Sequence, residues 1–175
     1  METVPSPSRP QGFVVMGVSG CGKSTVAQAL AARLGWAFHD ADDFHPEASV
    51  QKMRAGIPLT DADREPWLER LNRLLADSLA DGAHPVLACS ALKESYRRML
   101  RKGGLPIAVI YLKGSHEEIL ARMSAREGHF MPPALLRSQL ETLEEPRDAW
   151  VVDISKSVEE IVEDLAGRLA NASPR

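Results

Sequence analysis

The chain has 175 residues, enough for one domain with a substantial core. Its 21 basic and 24 acidic residues leave a net charge of −3, with no basic tail or stripe, which speaks against a nucleic-acid partner. Cys21 and Cys89 form no CxxC pair and no apolar run approaches the about 18 residues of a membrane span, so a disulfide scaffold, a structural zinc site and a membrane helix are all disfavoured.

Residues 1–10, METVPSPSRP, are rich in Pro and Ser and lack an apolar signal core. They read as a loose tail, as do residues 171–175, around one domain spanning 11–170, and the cytoplasm is the expected location. Gly12 to Met16 is a short apolar run suited to a buried parallel strand. A glycine-rich turn follows. Lys23 to Leu34 reads as a helix with Val26, Leu30 and Leu34 on one face, stopped by Gly35. WAFHDAD predicts a second strand with acids at its end. Pro46 opens a helix running towards Ala55 and closed by Gly56. Asp63 is the candidate cap of the next helix, because it leaves Pro66 among the first three positions, where no backbone donor is needed. Leu68, Leu71, Leu75 and Leu79 line one face of it.

PVLAC, 85–89, is a third strand, and LKESYRRML a connecting helix. IAVIYL, 107–112, is the fourth strand. Ser115 opens a helix continuing to about Arg126. Gly128 interrupts it, and Pro132-Pro133 starts a further helical piece ending near Glu141. WVVDI, 150–154, is the fifth strand, and 156–170 the last helix. Strands alternating with helices predict an α/β fold, a parallel sheet covered on both faces.

GVSGCGKST, 17–25, fits G-x-x-x-x-G-K-S in the strand, turn and helix context the motif requires. The glycines permit a tight backbone nest whose amides, with the helix N-terminus, point at phosphates. Lys23 puts a cation between the β and γ phosphates, Ser24 offers a hydroxyl to magnesium, and Thr25 serves the α-phosphate side. This identifies nucleotide binding without choosing among a switch GTPase, a motor ATPase and a small-molecule kinase.

The second strand narrows the choice. Asp40 and Asp42, two apart on extended chain, are expected to face the same way at the ligand crevice. Paired carboxylates are costly unless something positive neutralises them. One can hold a magnesium-bound water while the other orients an attacking hydroxyl and takes its proton. The bland alternative is solvated turn residues or helix caps. His45 is a cap or a substrate hydrogen-bond donor. Lys52 and Arg64 are candidate partners of a substrate carboxylate, Arg64 the better for its planar fork, and either also fits a plain surface charge. Arg122 and Arg126, four apart, precede EGHFMPP, whose Gly and Pro break the helical pattern as a mobile cover does. Such arginines offset charge on a transferring phosphoryl group. His129 fits a solvated loop as well as a substrate contact. Ser90, after the third strand, is positioned to touch a magnesium-bound water. At Cys21, the helix N-terminus and Lys23 are expected to favour the thiolate.

Taken together, GVSGCGKST, FHDADDFHP, KMRAGIPLTDADREPWL, LACSALKESYR, REGHFMPP and SQLETLEEP resemble the small P-loop gluconokinases, which are related to shikimate kinases and nucleoside monophosphate kinases. The resemblance covers residues 11–169. It implies a P-loop NTPase fold, a five-stranded parallel sheet flanked by helices with a mobile lid. It implies phosphorylation of D-gluconate by ATP with Mg2+, and a homodimer. Gly17, Val18, Ser19, Gly20, Cys21, Gly22, Lys23, Ser24 and Thr25 would form the ATP site, with Arg122 at its edge. Asp40 would be the acid on the magnesium side, with Ser24 and Ser90. Asp42 would be the acid on the substrate side and the base. His45, Lys52, Arg64 and His129 would face the substrate, and Lys23, Asp42 and Arg126 would carry the chemistry.

Overall fold

The computed structural model describes residues 9–125 and 133–172. Five parallel strands form one sheet in the order β2-β3-β1-β4-β5. They are β1 Gly12–Met16, β2 Ala37–Asp40, β3 Pro85–Ala88, β4 Ile107–Lys113 and β5 Trp150–Asp153. The helices between them are α1 Lys23–Leu34, α2 Glu47–Arg54, α3 Asp61–Ala80, α4 Glu94–Leu100, α5 His116–Ala125, α6 Pro133–Thr142 and α7 Val158–Asn171.

The central strand β1 is buried along its whole length, and its side chains alternate between two cores. Phe13 and Val15 pack with Val26 and Leu30 of α1 and with Ile161 and Leu165 of α7. Val14 and Met16 pack on the other face with Leu68, Leu71 and Leu75 of α3 and with Tyr96 and Leu100 of α4. Apolar burial on both faces anchors β1, and the glycine-rich turn springs from its end. Among the described residues no helix is long and apolar enough to cross a membrane.

Two local expectations are corrected. The second strand ends at Asp40, and Asp42 lies in a 3-10 turn, Ala41–Phe44, so the two acids do not share a strand face. The cause is Asp40 itself: its Oδ1 accepts from the Asp42 amide at 3.0 Å and caps the turn. Helix α3 starts earlier than expected. Thr60 is its cap, Thr60 Oγ1 accepts from the Asp63 amide at 3.1 Å, and the Asp63 carboxylate accepts from the Thr60 amide at 2.9 Å. That reciprocal box makes Asp63 the third helical residue and leaves Pro66 inside the helix, with no N–H to give Ala62.

Candidate functional site

The carboxyl ends of β1, β2 and β3 carry the turn 17–22, the Asp40 turn and the bend at Ser90. In open parallel sheets this is the ligand-facing edge. Gly17 has φ 155°, and a Cβ there would fall 2.6 Å from Cys21 Sγ. Gly22 has φ 93° and is the N-cap residue of α1 with no side-chain cap. The first amides of α1 therefore have no intrahelical acceptor and lie at the positive end of the helix dipole. That arrangement is an anion site by construction. Lys23 Nζ donates to the Val18 carbonyl at 3.2 Å, so the ammonium lies back across the first half of the turn. Val18 is buried, and Ser24 and Thr25 are exposed at the mouth of α1.

Ser24 Oγ donates to Asp40 Oδ2 at 3.0 Å, which joins the helix start to the end of β2. Asp40 thus holds Ser24 with one oxygen and the Asp42 amide with the other. Asp42 is exposed, and its Oδ1 lies 3.5 Å from His45 Nε2. The hydrogen bond from His45 holds the Asp42 carboxyl below its ordinary range, against a smaller opposing effect of desolvation. His45 is itself fixed: its ring stacks on Trp67 at 4.3 Å between centroids, and Trp67 Nε1 donates to the Ala41 carbonyl at 2.7 Å. Among the described residues, buried His45 Nδ1 has no partner. Trp67 thus packs, as a large aromatic does, while steering the turn that presents Asp42.

On the neighbouring side, Lys52 Nζ reaches both oxygens of Asp63, at 2.8 and 3.0 Å. Arg64 Nη1 donates to Tyr96 Oη at 3.1 Å and lies 3.9 Å from Asp61 Oδ1. Lys93 Nζ donates to both oxygens of Asp61, and Tyr96 Oη donates to Asp61 as well. Asp61 is therefore the carboxylate at the centre of two cations and a phenol. Its carboxyl is held down by the Tyr96 bond first and the Lys93 bond second. Asp61, Lys93 and Tyr96 escaped the sequence reading. The signal was the 61/64 spacing, which sets that pair on one face of α3, and Lys93 at the cap of α4 three residues before Tyr96, but the meeting of α3 with α4 is tertiary.

The Ser90 carbonyl accepts from the Gly17 amide at 3.4 Å, which lays the bend after β3 against the phosphate turn. Ala91 there has φ 44°, in the left-handed region that a non-glycine residue occupies only at a cost. Fully buried Arg97 holds the bend, donating to Ala91 O at 2.8 Å and Leu92 O at 3.1 Å. Arg122 lies beside the phosphate turn, its Nη1 3.9 Å from the place of a Cβ on Gly22, and its Nη2 donates to the Ile154 carbonyl. Arg126 and His129, with the cover segment 126–132, lie outside the described residues.

Cys21 corrects an expectation. Its side chain is 1% exposed, and burial pushes the thiol up, outweighing the opposite pull of Lys23. Cys89, also buried, is pushed up to about 12 by desolvation.

The sequence matches the shikimate kinase family over residues 19–169. A gluconokinase of Gluconobacter oxydans is 54% identical over 140 residues, 80% of this chain and 79% of that protein. A crystal structure of a gluconokinase from Sinorhizobium meliloti superposes with a TM-score of 0.81 at 45% identity, covering 93% of each chain. The unliganded structure of a sugar kinase from Janibacter superposes with a TM-score of 0.82 at 44% identity, over 96% of this chain and 97% of that one.

Proposed function

The chain belongs to the shikimate kinase and gluconokinase family of P-loop kinases, and we propose that it transfers the γ-phosphoryl group of ATP to D-gluconate, giving ADP and 6-phospho-D-gluconate. The observation that carries this reading is the exposed Asp42 carboxylate, braced by His45 next to the Asp40–Ser24 link to the phosphate turn. A nucleotide switch needs no such acceptor-side carboxylate.

The 6-hydroxyl of gluconate attacks the γ-phosphorus, and the bond from that phosphorus to the β,γ-bridging oxygen breaks. The hydroxyl proton passes to Asp42 and then to solvent. Phosphoryl transfer is loose, so the proton leaves late and orientation matters more than base strength. A carboxylate held low by His45 suits that task, because it stays ionised and ready to accept throughout the neutral range. The end of the turn at Gly22 and the first amides of α1 cradle the phosphates, while the amides of Gly17, Ser19 and Cys21 shape the turn by donating to the Ser90 carbonyl, to Gln139 and to the Val18 carbonyl. Lys23 leaves the Val18 carbonyl for the β and γ phosphates as charge moves between them. Arg122 flanks the nucleotide, and Arg126 is the candidate to offset charge on the transferring group.

Ser24 and Asp40 fit a magnesium ion in chemistry, offering hard oxygens 3.0 Å apart, and would hold it, with the Ser90 hydroxyl the candidate for a magnesium-bound water. Among the described residues no three His, Cys, Asp or Glu side chains gather as a metal cage, and a magnesium ion shared with phosphates and water needs none. When bound, the ion neutralises phosphate charge. His45, Arg64 and Lys52 serve the sugar acid, Arg64 pairing with its carboxylate, and His129 is a further candidate for it. We extend the proposal to a homodimer, to the cytoplasm, and to residues 11–170 as one kinase domain between short tails.

The test is ADP release measured side by side with gluconate, shikimate and ribonucleosides. Gluconate-dependent release well above the others is expected. Preference for shikimate, or ADP release indifferent to any acceptor, overturns the reading.

A further inference from the structure

Gln139 of α6 grips the phosphate turn with both ends of its amide. Its Oε1 accepts from the Ser19 backbone N–H at 2.7 Å, and its Nε2 donates to Ser19 Oγ at 3.0 Å. The backbone donor fixes which way the amide points, since a flipped amide would set its NH2 against an N–H. These two residues are 120 apart in sequence, and both are half-buried.

The chain just past the C-terminal end of α6 is also tied. The Glu144 amide donates to the Leu92 carbonyl at 2.8 Å, and Arg97 Nη2 donates to the Glu144 carbonyl at 2.8 Å. Leu92 belongs to the bend that carries Ser90. The segment from Gln139 to Glu144 therefore links the phosphate turn to the bend after β3, and Gln139 is its contact with the phosphate turn.

The turn has two functional halves. The start of α1 serves one. The other is where Lys23 now rests, on Val18, the neighbour of Ser19. Lys23 is the residue that reaches towards the terminal phosphate in this motif. A nest binds anions only while its amides keep their aim. Resting on the kinase reading above, we infer that Gln139 is a positioning residue for phosphoryl transfer: by holding the Ser19 amide and hydroxyl from outside, it fixes the half of the turn that meets the terminal phosphate of ATP. It touches neither the phosphates of the α1 end nor the sugar acid.

That division makes a distinctive signature. Gln139→Leu removes both bonds at a half-exposed position. Loss of one or two ordinary hydrogen bonds corresponds to about tenfold. The variant should lose about tenfold in kcat and in affinity for a non-hydrolysable ATP analogue. Its ADP affinity and its KM for gluconate should match the parent. Ser19→Ala keeps the backbone donor and removes only the hydroxyl, so it should show the same split between analogue and ADP at smaller size. The double variant should lose no more than Gln139→Leu alone, because the two side chains act as one unit.

Binding of ADP and of the analogue is read by titration, independently of turnover. If neither parent nor variant phosphorylates gluconate, the functional reading falls, and the split in nucleotide affinity still decides the role of Gln139. Equal weakening of ADP and analogue would mean general loosening and would overturn the proposal, as would full kcat in folded Gln139→Leu. Should Gln139→Leu fail to fold, equal ADP and analogue affinities in Ser19→Ala relative to the parent overturn it.

Discussion

At Cys21 two effects oppose one another. A helix N-terminus and Lys23 stabilise a thiolate, and removal from water penalises it. Packing decides, because the sulfur is enclosed against Gly17 with 1% of the residue exposed, and the thiol is raised. Native protein should therefore label slowly with iodoacetamide at neutral pH, at a rate close to that of Cys89 and far below the unfolded chain, and ATP should change little. Mass spectrometry of both sites against time reads this out. Rapid labelling of Cys21 that ATP suppresses would restore the opposite picture. The motif made the backbone course of the turn legible from the residues alone. The state of the sulfur was not legible, since it depends on neighbours brought in by the fold. His45 has the same character: its spacing from Asp42 was visible, but its stack on Trp67 was not.

Helix α3 shows what an element owes to distant partners. The local rule favoured Asp63 as the cap, since that puts Pro66 where a missing N–H is harmless. The Thr60 and Asp63 box instead receives support from Lys52 on α2, a contact 11 residues away. The Asp63 carboxyl falls from 3.8 to about 2, through the Lys52 bond first and the Thr60 amide second. A folded-state value below the unfolded one contributes stability that is complete above about pH 4 and lost as pH falls towards about 2. Asp63→Asn should be less stable than the parent at pH 6 and converge with it near pH 2, as measured by urea unfolding across that range. A constant gap between the two at every pH would show that the carboxylate charge is not the source. The 3-10 turn that replaced the expected strand over Asp42 is local by contrast, because Asp40 caps a backbone amide only two residues on.

For the whole molecule, the alternation of apolar strands and amphipathic helices was enough to expect a parallel five-stranded sheet. The strand order, with β1 central between β3 and β4, was not readable, because pairing between distant segments leaves no local trace. That order is what brings the functional pieces together. The phosphate turn leaves the middle strand, Asp40 ends the edge strand β2 with Asp42 in the turn after it, and the Ser90 bend leaves β3 between them. Ser24 and Asp40 join the donor half to the turn that presents Asp42, and Asp42 reaches outward with His45 behind it. The central claim is this division of labour, with Asp42 serving the acceptor and not the nucleotide. Asp42→Asn preserves size and much of the hydrogen bonding while removing the proton-accepting charge. The direct measurement is single-turnover transfer from ATP to gluconate by this variant, alongside its ATP affinity. Transfer should collapse by more than about a hundredfold, the scale of losing a general base, while ATP binds as in the parent. Full transfer by Asp42→Asn, or weakened ATP binding with normal transfer once ATP saturates, would contradict it.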